Sequence, residues 1–198
     1  MKKMLINFFG FIFLIYLSSC TSTEKANVQN TKNEELVSFM VYGDDFLASI
    51  VLPFKWNVNM AYAQQVGING FFYLRNYNTE NSPAVIILEL EYNNNKIFKE
   101  WIDNDINTFL AYYEDFSVEM LNWNVVNENG YKIIVYKLDH NVMDVLQYSA
   151  YLDVGLNYFV NIYVTIHDLN VHDEIVNDFK KCLENSRFTG IGVKIIEE

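Results

Sequence analysis

Residues 145–167, VLQYSAYLDVGLNYFVNIYVTIH, decide the fold. Two runs rich in aliphatic and aromatic residues, 145–152 and 158–167, flank a short loop that holds Asp153 and Gly155. In the second run Val160, Ile162, Val164 and Ile166 share one face, and Phe159 and Asn161 the other. That period of two is the mark of a strand. Just upstream, Ser117 to Val126 and Tyr131 to Leu138 flank Asn129-Gly130, the dipeptide favoured in tight hairpin turns. These runs predict an antiparallel meander.

Outward from the meander the period changes. Ile175, Phe179 and Leu183, widened by Val176 and Cys182, form an apolar stripe at helical spacing and predict a helix over His172–Asn185. Asp173 and Glu174 sit at its positive end. On the other side, Ile97, Trp101, Ile102, Ile106, Phe109, Leu110 and Tyr113 predict a helix over Asn94–Asp115, with Asn94 or Asn95 as its cap. Gly70–Tyr77 and Ala84–Tyr92 read as strands, and the unbroken run Val85-Ile86-Ile87-Leu88 predicts cover on both faces. Leu36–Tyr42 and Asp45–Leu52 form a strand pair around Gly43-Asp44; Pro53 ends the second, and residues 57–69 carry no decisive pattern. The expected class is α+β: one domain over residues 36–198, a mainly antiparallel sheet with helices on its faces.

The first nineteen residues read differently. Lys2 and Lys3 precede a mostly apolar stretch from Met4 to Tyr16, the length of a signal-peptide core. A membrane-spanning helix needs about 20 apolar residues, so a spanning segment is the weaker reading. Leu17-Ser18-Ser19-Cys20 then resembles a bacterial lipobox, in which small residues enter a signal peptidase and the Cys thiol takes diacylglyceryl. The expectation is a signal peptide over residues 1–19, and membrane attachment through palmitate-type lipid on Cys20. Residues 20–35 would follow as a flexible tether, too polar to bury surface. Two or more acyl chains are enough for stable anchoring. The expected location is the bacterial cell envelope, with the outer membrane favoured.

Without Lys2 and Lys3, twelve basic residues face twenty-five acidic ones, a net charge of −13. Such a chain repels phosphate backbones, which argues against a nucleic-acid partner. With Cys20 committed to lipid, Cys182 is the one remaining thiol, so no intramolecular disulfide can form.

The chemistry-bearing residues each have a plain structural reading. His167-Asp168 and His172-Asp173 could supply metal ligands, but they lie at a strand end and a helix start, where polar residues collect, and they lack zinc-site spacing. His140 follows Asp139 at another strand end. Cys182 lies on an apolar stripe. Asp44/Asp45 and Asp103/Asp105 read as local surface clusters. No catalytic residue, cofactor-binding residue, cofactor or metal ligand is therefore assigned. Aromatic residues are the remaining lead: Phe71, Phe72, Tyr73, Tyr77, Tyr92, Trp101, Tyr112, Tyr113, Trp123, Tyr148, Tyr151 and Tyr158. Most are expected in the core, and any that are exposed would mark a recognition surface.

The order of elements is itself suggestive. A strand pair ends in Leu52-Pro53 with Trp56 just after; then come strands, a long helix, a meander, and a last helix closing on Asn185-Ser186-Arg187-Phe188. Over roughly residues 36–190 this resembles the PsbP-like α-β-α sandwich, a family that includes the extrinsic oxygen-evolving protein of photosystem II and DcrB-like envelope lipoproteins. The resemblance implies an accessory or binding role rather than catalysis; no functional residue of the family finds a match here. The expected function is that of a membrane-anchored, non-catalytic envelope protein binding an envelope protein or a small hydrophobic ligand. The alternative is a hydrolase acting on cell-envelope or host polymers.

Overall fold

The computed structural model describes residues 35–43, 46–93, 96–113, 115–140 and 142–190. The expected signal peptide, Cys20, the expected tether up to Glu34, the pair Asp44/Asp45 and the caps expected at Asn94 or Asn95 lie outside the described residues. Among the described residues no helix is long and apolar enough to cross a membrane.

The chain is α+β, as expected. Its centre is β9 (Tyr158–Ile166), every residue of which is buried. Antiparallel neighbours are β5 (Ala84–Tyr92), in register from Ala84↔Ile166 to Tyr92↔Tyr158, and β8 (Leu146–Asp153). The sheet grows outward through β4 (Gly70–Leu74) and β3 (Trp56–Val58) on one side. On the other side it grows through β7 (Lys132–His140) and β6 (Phe116–Leu121). The full order of this seven-stranded sheet is β3-β4-β5-β9-β8-β7-β6. A second sheet of three strands, β1-β2-β10, is built from β1 (Leu36–Tyr42), β2 (Phe46–Pro53) and β10 (Arg187–Gly190).

Alternation along β9 divides the core. Val160, Ile162, Val164 and Ile166 join Ile86, Leu88, Ala150 and Leu152 on the inner face, where β2 and helix α3 (His172–Asn185) close over them. On the outer face, helix α2 (Phe98–Tyr112) sets Phe98, Trp101, Ile102 and Ile106 against Tyr151 and Phe159. Helix α1 (Met60–Val66) covers Phe71, Val85, Ile87 and Tyr163 with Ala63. The expected double cover of Val85–Leu88 is present: each of the four is at most 4% exposed.

Several boundaries differ from the sequence reading. α1 falls in the undecided segment 57–69; the Asn59 side chain caps it by accepting from the Tyr62 N–H at 2.9 Å, and Gly67 ends it at φ 79°. α2 starts only at Phe98, with no side-chain cap at Ile97. β6 stops at Leu121, short of Val126, so Asn129-Gly130 is not the tip of a tight hairpin. The Asn127 amide instead donates to the carbonyls of Leu183 (2.6 Å) and Ser186 (3.0 Å), which ties this connection to the end of α3.

The Leu-Pro-x-x-Trp segment acquires a physical role. Trp56 is fully buried, and its indole N–H donates to Asp178 Oδ2 at 2.9 Å. Lys55 pairs with the same oxygen at 2.8 Å and also with Glu174. Asp178, 1% exposed, thus locks β3 to α3.

Candidate functional site

An open groove of about 780 Å³ lies on the inner side of the β6 edge. That volume is in the range of small-molecule sites. Leu121 of β6, Lys137 of β7 and Leu146 and Tyr148 of β8 form its floor. The first turns of α3 and the chain leaving β6 form its walls. Leu121, Trp123, Leu146, Leu169 and Val176 give it an apolar lining, and Lys137, Tyr148, His172, Asp173, Glu174 and Lys180 its polar groups.

Inside the groove the rings are ordered. Trp123 stacks on Tyr148 with centroids 5.3 Å apart and planes at 25°. Lys180 Nζ lies 4.6 Å from the centre of the Trp123 ring, a cation–π arrangement. The Tyr148 hydroxyl is 2.7 Å from His172 Nε2, and His172 Nδ1 is 2.8 Å from Asp173 Oδ1. With neutral imidazole both bonds require the proton on Nδ1, donated to Asp173, while Nε2 accepts from Tyr148. Burial pushes the Tyr148 phenol above its ordinary value, only partly offset by the Lys137 ammonium. Lys137 bonds Asp139 at 2.9 Å, and Glu174 is tied to Lys55. Among the described residues Lys180 has no carboxylate partner.

The groove unites Trp123, Tyr148, His172 and Asp173, which the sequence brought forward on separate grounds. Others scatter. His140 Nδ1 accepts the backbone N–H groups of Val142 and Met143 at 3.2 and 3.0 Å, which makes it a turn residue. Asp168 caps the 3-10 turn Leu169–Val171 through the Asn170 N–H at 2.9 Å. Both ring nitrogens of His167 are buried without a hydrogen-bond partner among the described residues, and burial lowers its pKa to about 4. Among the described residues no three His, Cys, Asp or Glu side chains cluster as metal ligands. Cys182 is fully buried beside Ser186, and burial pushes its thiol up to about 12. Of the aromatics, Phe71, Phe72, Trp101, Tyr113, Tyr148, Tyr151 and Tyr158 are buried, whereas Tyr77, Tyr92 and Tyr112 are exposed.

The reading of Asp103/Asp105 as a surface cluster is corrected. Asp103 is on the exposed side and pairs with Lys99. Asp105 turns inward, accepts from the Tyr151 hydroxyl at 2.7 Å, and is raised by burial. Glu89 lies beneath α2 on the same sheet face and is pushed up to about 7 by burial, with the Asp105 charge adding to the shift. The sequence could not reveal this pair, because the two residues lie on different elements.

No family model matches the sequence, and neither does any curated protein. Solved structures do align with the chain. Cyanobacterial PsbP from Synechocystis sp. PCC 6803 aligns with a TM-score of 0.53 and 9% identity, over 83% of this chain and 98% of that one. A Pseudomonas aeruginosa protein of unknown function, proposed as a regulator, aligns with a TM-score of 0.45 and 11% identity, over 75% and 95% of the two chains. The Saccharomyces cerevisiae Ran-binding protein Mog1p aligns with a TM-score of 0.47 and 14% identity, over 74% and 85%. The alignment with cyanobacterial PsbP makes the fold PsbP-like, as the order of elements suggested.

Proposed function

We propose that this chain is a lipid-anchored protein of the bacterial cell envelope and that its domain is a non-catalytic binding module. The groove at the β6 edge would hold its ligand. Support for the anchor is the Leu17-Ser18-Ser19-Cys20 motif behind a signal core of suitable length. The observation that carries the binding role is the groove lining: four aliphatic side chains around a stacked Trp123–Tyr148 pair, open to solvent. Concave apolar sites with a few placed polar groups are the usual form of a small-ligand site. A small hydrophobic ligand fits this lining better than a charged one.

One observation favours the second reading, a hydrolase. Asp173, His172 and Tyr148 are connected as a proton relay. Against it, the relay ends on a phenol whose pKa is raised, a poor nucleophile near neutrality.

Two experiments test the proposal. The full chain expressed in a bacterium should incorporate a palmitate analogue, and Cys20→Ala should not; equal labelling would remove the anchor. The intact protein, purified in mild detergent, should carry a co-purifying small molecule that mass spectrometry detects. Leu146→Asp, which puts a charge in the apolar lining, should lose it. Identical extracts from both proteins would count against the groove. Turnover of ester or glycoside substrates that disappears in both His172→Ala and Tyr148→Phe would establish the hydrolase instead.

A further inference from the structure

Among the described residues strand β6 is the last strand of the large sheet, and one of its sides has no partner strand there. The open edge does not stop at Leu121. Residues Asn122–Val126 continue without turn or bend. Trp123 and Val125 pack inward against the core, while Asn122, Asn124 and Val126 face out. No backbone group of Asn122–Val126 makes a hydrogen bond among the described residues. Extended chain with free N–H and C=O groups is a template for another strand. Phe116–Val126 contains no Pro and no Lys, Glu119 is its one charge, and Met120 and Val126 are 66% and 79% exposed.

We propose that this edge pairs antiparallel with the same edge of a second copy of the chain, about a two-fold axis at Leu121. This register alone pairs every residue from Phe116 to Val126. It sets Phe116 opposite Val126, Val118 opposite Asn124 and Met120 opposite Asn122 on the outer face. On the inner face it sets Ser117 opposite Val125 and Glu119 opposite Trp123. Outer side chains meet outer ones, as antiparallel pairing requires. A register centred on Glu119 would face two carboxylates, which is unfavourable.

Charge selects the same register. Glu119 is the one charged residue of the edge. Its position opposite Trp123 brings it to the ring that carries the Lys180 ammonium. Lys180 has no carboxylate partner among the described residues of its own chain, and Glu119 of a second copy supplies one. The pairing needs neither lipid at Cys20 nor a ligand in the groove, so it stands independently of the proposed function.

The test uses the full-length chain in unfractionated lysate of the expressing bacterium and a short bis-maleimide. Leu121→Cys should give a covalent homodimer, because the axis sets the two thiols face to face. Val142→Cys, exposed but off the edge, should not. Mixed Met120→Cys and Asn122→Cys chains should cross-link on the outer face, a check that spares the half-buried Leu121. Adding Asn124→Pro to Leu121→Cys should abolish the dimer; it removes an N–H that its own chain leaves unbonded. Glu119→Lys should also lose the dimer, and Glu119→Lys with Lys180→Glu should regain it. Three results would overturn the pairing: no homodimer from either cysteine set, a dimer indifferent to Asn124→Pro, or adducts of Leu121→Cys with another protein alone.

Discussion

On the inner face of the large sheet, β5, β8 and β9 present Ala84, Ile86, Leu88, Ala150, Leu152, Val160, Ile162, Val164 and Ile166, all apolar and fully buried. On the outer face the same strands present Glu89, Gln147, Ser149, Asn161 and Thr165 between the patches under α1 and α2. Both faces are covered, but by different physics. Area and close packing hold the inner face. The outer face carries a polar band held by hydrogen bonds: Ser149 to Asn161 at 3.3 Å, Tyr151 to Asp105 at 2.7 Å, Tyr163 to Glu89 at 3.4 Å. The inner face should therefore set the stability, and the outer face its dependence on pH.

The largest effect is predicted on the inner side. Phe179 is fully buried at the centre of α3 and meets the Trp123 ring edge-on at 6.4 Å. Phe179→Ala should cost about 3–5 kcal/mol in denaturant unfolding, through lost transfer energy and an unfilled cavity. A loss below that of an equivalent truncation at Phe109, on the half-buried side of α2, would break the comparison.

Next is the lock between β3 and α3. Asp178→Ala leaves the Trp56 indole N–H and the Lys55 ammonium without their shared acceptor. Removal of one member of a buried charged pair costs about 3–5 kcal/mol, and the partial exposure of Lys55 places this case at the lower end. Asp178→Asn keeps an acceptor for the indole, so it should lose less. If the two variants melt together, the indole bond contributes little.

Legibility in the sequence follows the same division. β5, β9 and α3 were readable because each buries a long, regular pattern that only one period explains. α1, β3 and β10 are short, and their conformation is decided by what they pack on: β10 exists because β2 offers an edge from Phe46 to Ser49. β6 looked longer because Asn122–Val126 alternates like a strand, yet β7 does not follow it there. The groove was half legible. Its aromatic and histidine members stood out by type, but Lys137, Leu146 and Lys180 are ordinary residues that matter only through their neighbours. The Glu89–Asp105 contact joins a strand to a helix, and no spacing rule connects them.

The smallest predicted effect depends on pH and sharpens the view of the outer face. Glu89 titrates near 7 in the folded chain against an ordinary 4.5. Between those values the folded state keeps a proton that the unfolded state has released. Stability due to this group is therefore highest below about pH 4.5, falls as pH rises through the window, and stays low above about 7. Glu91 and Asp105 act in the same direction on Glu89, since each adds negative charge, whereas the Tyr163 hydroxyl opposes them by donating to it. Glu89→Gln keeps an acceptor for Tyr163 and cannot ionise. It should match the parent near pH 4.5 and exceed it at pH 8 by about 3 kcal/mol, as the size of the shift implies. Paired melts across that range check both sign and window. A constant gain at all pH values would mean that Gln merely packs better, and no gain at pH 8 would mean that water reaches Glu89 and leaves it an ordinary surface carboxylate.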